Sequence, residues 1–371
     1  MRVAEVLVIV AMSLFCLLGV FLLSKDKSWQ NGFSWLGIFF LLLAVNFLDG
    51  ILLLNGSILN MPRLAIWEDP LALLYGPMIL FFSIQLRSGN VFDRASTYLH
   101  FIPFVLMELV VMQFHWQHSE QEIREMLSVV ITQNLSSTFY MGTLLVSAHV
   151  IGYILLALRT LLIHQARLKQ YYASFDIRWA FALVRLTLFI FLLSLVSTAV
   201  QYLATMEFYA IALTSLILIS IFLTIRVLLF AMNQPILQPK AEPQYAQVNL
   251  PLKSQQQLKE QIDHALTTSR LFTNPKLTLK DLANAVGSTD RELSFVINSL
   301  MADNFYDLVN HYRIEAAQHI FKTNPDSKLT VLEVLYQVGF NSKSSFNTQF
   351  KQKTGLTPSE FKRLHMKRSN K

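Results

Sequence analysis

The chain has 371 residues and a formal net charge of +7 at pH 7, room for two ordinary domains. Nearly all of that charge sits late: residues 1–239 carry a net of +1 and residues 240–371 a net of +6, so an anionic partner such as nucleic acid or a phospholipid surface is suited by the last third alone. The single cysteine, Cys16, excludes a disulfide within the chain and a thiolate metal cluster, and reads as a small packing residue.

The apolar run Val6–Leu23 is longer than a signal-peptide core and no small-x-small cleavage site follows it. It reads as a retained membrane helix. Seven segments approach the ~20 apolar residues that a spanning helix needs: 5–24, 33–54, 70–86, 97–115, 138–161, 179–203 and 208–230. The third is short and holds Pro70 and Pro77, and the gap 117–137 has room for an interfacial helix. Loops after the first, third and fifth segments hold Lys25, Lys27, Arg87, Arg94, Arg159, Arg167, Lys169 and Arg178; the opposite set holds Arg2, Arg63 and Arg124. The richer side is expected in the cytoplasm, with the N-terminus outside and the C-terminus inside.

Asp49, His100, Glu108, His149, Arg185 and Arg226 fall within the expected spans. Ionisable groups are costly in hydrocarbon, so such residues face the bundle interior or a cavity, or snorkel to its edge. The first five are candidates for an intramembrane polar or ligand site, with snorkelling as the plainer reading for Arg185 and Arg226. His100 and Glu108 are eight apart and no HxxxH or HExxH pattern occurs. No metal site and no cofactor are expected.

Residues 231–254 contain Pro235, Pro239, Pro243 and Pro251, which forbid a continuous helix. As a flexible tether the segment reaches roughly 25–30 Å. Beyond it the pattern becomes that of amphipathic helices in water. Leu258–Thr268 is the first. Thr278 with Asp281 three residues on, then Thr289 with Glu292, open two helices separated by Gly287. The first carries Leu282, Ala283 and Val286 on one face, the second Leu293, Val296, Ile297 and Leu300. A helix, a glycine turn and a second helix make a helix-turn-helix. The arrangement recurs with Thr330 and Glu333, a stop at Gly339, and a helix from Ser342 with Phe346 and Phe350 inward. Between the two lies Phe305–Phe321, free of Pro and Gly, a strut of roughly 25 Å. Thr357-Pro358-Ser359-Glu360 starts a last helix, and the tail is basic.

The stretches LTLKDLANAVG (277–287), NFYDLVNHYRIEAA (304–317) and TVLEVLYQVGFNSKSSFNTQFKQKTGLTPSEFKR (330–363) together resemble the DNA-binding domain of the AraC/XylS family of bacterial transcription regulators. The resemblance covers 278–363, about a quarter of the chain. It implies one base-reading helix in each helix-turn-helix. Carried over by position, the base-facing residues are Arg291, Ser294 and Phe295 in the first and Lys343, Ser344, Asn347 and Thr348 in the second. Phe295 departs from the family, where arginine is common. Lys280, Arg313 and Lys351 are phosphate candidates, with Arg313 equally able to pair with a neighbouring acid.

The expected fold is all-α: a transmembrane bundle of about seven helices (1–230), a linker (231–254) and a cytoplasmic AraC-type domain with two helix-turn-helix units (255–371). The expected role is a membrane-bound, sequence-specific transcription regulator of the bacterial inner membrane, not an enzyme. Its expected partners are double-stranded DNA, membrane lipid, RNA polymerase, a second copy, and a small-molecule or envelope signal. The competing reading, a transporter or membrane enzyme with an appended regulatory domain, lacks a matching pair of broken helices.

Overall fold

The computed structural model describes residues 2–26, 32–64, 69–92, 95–131, 137–203, 250–323 and 329–369, with isolated positions between 221 and 229. All regular elements among them are helical. The chain divides into two compact units, residues 1–164 with 177–238, and residues 165–176 with 239–371. The short segment 165–176 therefore folds with the C-terminal residues, although in sequence it sits among the apolar helices.

In the first unit, α1 (Arg2–Lys25) and α2 (Phe33–Leu54) pack side by side. Their backbones approach closely at two glycines. A Cβ on Gly19 would lie 2.9 Å from the Gly37 carbonyl oxygen, and one on Gly37 would lie 3.0 Å from that of Gly19. Small residues at a helix crossing are the usual means of such contact where lipid removes the hydrophobic drive. The turn between the two helices is tied by Asp26, whose carboxylate accepts from the Ser34 amide at 3.1 Å. Next come α3 (Tyr75–Ser88), α4 (Ile102–Gln117), α5 (Glu120–Ile131), α6 (Ser137–Tyr171) and α7 (Arg178–Leu203). The helix α5 fills the gap expected to hold an interfacial element, and buries Ile123 and Leu127 against Ile58.

Among the described residues, four helices are long and apolar enough to cross a membrane: Val6–Lys25, Pro70–Ser88, Ala95–Gln117 and Met141–Tyr171. They match the first, third, fourth and fifth expected spans. The second contributes the shorter apolar stretch Phe33–Leu48. The sixth corresponds to α7, and the seventh, 208–230, lies mostly outside the described residues.

The ionisable residues of this unit separate by environment. His100 Nδ1 and the Tyr153 hydroxyl are 2.9 Å apart, His149 Nε2 lies 3.2 Å from the Leu73 carbonyl, and the His149 and Tyr153 rings are 4.9 Å apart. Tyr153 thus gathers both histidines, and it also packs on Gly76, where a Cβ would come within 2.7 Å of it. Glu108 lies on α4 with Oε2 buried and without a hydrogen bond among the described residues. Arg185 does not join that cluster: it is exposed, and its Nε donates back to the Phe181 carbonyl at 3.3 Å. Asp49 lies in α2, its side chain outside the described set.

In the second unit the described residues from 250 onward form, in order, α8 (Leu252–Thr267), α9 (Leu279–Val286), α10 (Asp290–Leu300), α11 (Phe305–Thr323), α12 (Val331–Gln337), α13 (Lys343–Thr354) and α14 (Pro358–Ser369). The first of these begins inside the expected linker, at Leu252. Two apolar cores are built on one shared helix. Phe305, Leu308 and Val309 of α11 belong to the first core with Leu282, Leu293, Val296 and Ile297. Ile314, Ala317 and Phe321 of the same helix belong to the second, with Val334, Val338, Phe346 and Phe350.

Candidate nucleic-acid interface

Each of the helices α9, α10, α12 and α14 starts on a threonine and an acid three residues later. The Asp281 amide donates to Thr278 Oγ1 at 3.2 Å, and Asp281 Oδ2 accepts from the Thr278 amide at 2.9 Å. Thr289 and Glu292 make the same reciprocal pair at 3.2 Å both ways, Thr330 and Glu333 at 2.6 and 3.1 Å, Thr357 and Glu360 at 2.8 and 3.3 Å. These boxes satisfy amides that a helix start leaves open. The hydrogen bonds from the threonines hold the Glu292, Glu333 and Glu360 carboxyls below the ordinary carboxylate range.

Two turns aim the second helix of each pair. Gly287 (φ 68°) ends α9, and its neighbourhood is open. Gly339 (φ 89°) follows α12 and is crowded: a Cβ there would lie 2.6 Å from the Phe272 carbonyl oxygen. The second turn thus rests directly on the backbone that leads into the first helix pair.

The expected base-facing residues of α13 lie at or near the surface. Lys343, Ser344 and Thr348 are exposed and Asn347 is half-buried. On α10 the picture differs. Arg291 is exposed, Phe295 packs partly against the first core, and Ser294 is only 3% exposed. As it stands in this structure Ser294 does not present its hydroxyl to a base, which corrects the positional expectation. Lys280 and Lys351 are exposed, as a phosphate contact requires.

Arg313 is the second correction. It is 0% exposed and cannot touch a phosphate. Its Nε donates to the Phe272 carbonyl at 2.7 Å, Nη2 to the Asn274 carbonyl at 2.8 Å, and Nη1 to the Ala173 carbonyl at 3.1 Å and Ser174 Oγ at 2.9 Å. Its guanidinium also lies 5.5 Å from the centre of the Phe340 ring. The planar fork of arginine is what allows one side chain to hold three segments at once. Burial pulls its pKa down to about 10, which leaves it cationic at neutral pH.

The segment 165–176 was the feature missed from sequence. Tyr172 forms an isolated antiparallel bridge with Thr278, and the Ala173 amide donates to the Leu277 carbonyl at 3.1 Å. Ala173 is buried within the first core.

Residues 282–364 match the family model described as a helix-turn-helix domain. The C-terminal domain is a helix-turn-helix domain of the AraC type. Over 90 residues, 24% of this chain, it is 33% identical to the uncharacterized HTH-type transcriptional regulator YdeC of Bacillus subtilis (strain 168). The match spans 30% of that protein's length. Among solved structures it is similar to the C-terminal domain of AraT, a response regulator from Geobacillus stearothermophilus, at 23% identity and a TM-score of 0.26, covering 29% of this chain and 85% of that one.

Proposed function

We propose that this chain is a membrane-embedded, sequence-specific DNA-binding transcription regulator, seated in the bacterial inner membrane with its C-terminal domain in the cytoplasm. One observation carries the reading: two helix-turn-helix units hang from a single helix, α11, with Lys343, Ser344, Asn347 and Thr348 ranged along the second reading helix. Lysine suits guanine O6 and N7, and asparagine suits adenine N6 and N7. Lys280 and Lys351 supply sequence-independent phosphate contacts. The apolar unit anchors the domain, and seven spans, more than a tether needs, favour sensing of a small-molecule or envelope signal. RNA polymerase and a second copy of the chain are the remaining partners of this reading, and bringing two such domains together raises avidity without new contacts.

The test is a gel shift with the full chain in nanodiscs, using DNA from upstream of its own gene against random duplex. The expected result is a preference for the upstream DNA and binding that weakens steeply with salt. Equal binding to both duplexes at every salt concentration would overturn the reading.

A further inference from the structure

We propose that Gln165–Asp176 is a strap that covers part of the reading face of the first helix-turn-helix, so that base contact by α10 requires the strap to be released. This rests on the reading of the domain as DNA-binding, and adds a means of control to it.

The strap is held at both ends of the first helix pair. Its bridge to Thr278 sits at the N-cap of α9, and Asn298 near the end of α10 donates to Gln170 Oε1 at 3.3 Å. Ser294 precedes Asn298 by one turn, on the same side of α10, and is only 3% exposed although it is polar. The core side of this helix is formed by Leu293, Val296 and Ile297.

The second reading helix is an internal control. Counted from the N-caps Thr289 and Ser342, Ser294 corresponds to Asn347 and Phe295 to Thr348. Asn347 is half-buried and Thr348 exposed, whereas Ser294 is buried and Phe295 half-buried. Toward that second face the Phe175 ring lies 5.2 Å from that of Tyr306, whose hydroxyl is 3.2 Å from Ser345 Oγ.

The attachment suits a switch more than a permanent weld. Apart from Ala173 and Leu168 its residues are half-buried or exposed, with Tyr171 packing against the edge of the first core. Its main-chain link is one bridge and one carbonyl, that of Ala173, which accepts from Arg313. In sequence it continues α6, an unbroken helix of 35 residues.

The experiment uses the full chain in nanodiscs, with Cys16→Ser removing the native thiol. Gln170→Cys and Asn298→Cys are then bridged by a short methanethiosulfonate reagent that reductant cleaves. Anisotropy is read with a duplex enriched from a random pool by the uncrosslinked protein. Bridging is expected to weaken binding roughly tenfold or more, to erase the footprint over the first unit's part of the site, and to be reversed by reductant. Equal affinity before and after cleavage overturns the strap while leaving the DNA-binding reading intact. Failure of the unbridged chain to enrich any duplex overturns that reading, and the gating with it. A readout without DNA stands beside these. Ser294→Cys, in the Cys16→Ser chain, is expected to react slowly with a maleimide and to react roughly tenfold faster when Ala173→Glu dislodges the strap. Fast labelling in the undisturbed chain overturns the proposal.

Discussion

Arg313 and Lys351 are both basic residues of a basic domain, and their surroundings give them opposite work. The Arg313 fork satisfies the carbonyls of Phe272, Asn274 and Ala173 from a fully buried position. Arg313→Ala strips those acceptors of their donor, at a cost on the order of 3 kcal/mol or more. Arg313→Lys restores little, because an ammonium lacks the fork. Hydrogen exchange along α11 and the 272–278 loop measures both, and is expected to show loss of protection in each. Lys351→Ala leaves exchange unchanged and lowers the salt slope of DNA binding by about 1. The capping acids give a prediction in pH. The folded pKa values of Glu292, Glu333 and Glu360 lie below the ordinary 4.5. Their stabilisation is therefore complete above the unfolded value and is lost as pH falls through the lower folded value. The thermal midpoint of the C-terminal unit is expected to be flat from neutrality to about pH 5 and to drop below about pH 4. Replacing all three by Gln flattens that drop; an unchanged acid limb would refute the assignment.

At the scale of elements, the two glycine turns look alike in sequence and differ in space. Both need a positive φ, but only Gly339 abuts backbone. Asn tolerates the left-handed region better than other side chains. Gly287→Asn is therefore expected to cost under about 1 kcal/mol, whereas Gly339→Asn forces the second turn off the Phe272 carbonyl and costs on the order of 2 kcal/mol or more. Denaturant midpoints of the two variants compare them directly. The helices of this domain were legible because their starts are encoded locally, by a threonine and an acid three residues apart, and their inward faces by apolar spacing. Of the positions expected to read bases, those on α13 fall on exposed or half-buried residues, whereas Ser294 on α10 is buried. Arg313 was misassigned because part of what holds it, the Ala173 carbonyl and Ser174 Oγ, comes from residues more than 100 positions earlier. That segment attaches through one bridge, one carbonyl and scattered side-chain contacts such as Gln170 with Asn298 and Phe175 with Tyr306, which no local pattern announces. In the apolar unit hydropathy placed the helices but not their polar pairings: His100 and His149 meet through Tyr153, a residue whose type carries no such signal.

At the scale of the whole molecule, and on the proposed membrane-embedded reading, α6 and the strap constrain how the chain would thread the membrane. A helix of 35 residues is ~52 Å long, well beyond the ~30 Å of hydrocarbon. Its last turns, with His164, Gln165, Arg167, Lys169 and Gln170, are polar enough to stand in water. Residues 165–176 fold in one unit with 239–371, so both must lie on the same side of the bilayer. The chain between them then crosses an even number of times. If α7 crosses outward, a return crossing is required before Leu250, and 208–230 is the one remaining apolar run long enough to supply it. This parity does not use the loop charges, yet it agrees with them, since Arg167, Lys169 and Arg178 belong to the basic side. Fusions of a compartment-sensitive reporter after Asp176 and after Lys371 are expected to give the same cytoplasmic signal, and a fusion after Leu203 the opposite one. Opposite signals from the first two would break the second unit apart. Outward signals from both would leave the reading helices with no chromosome in reach.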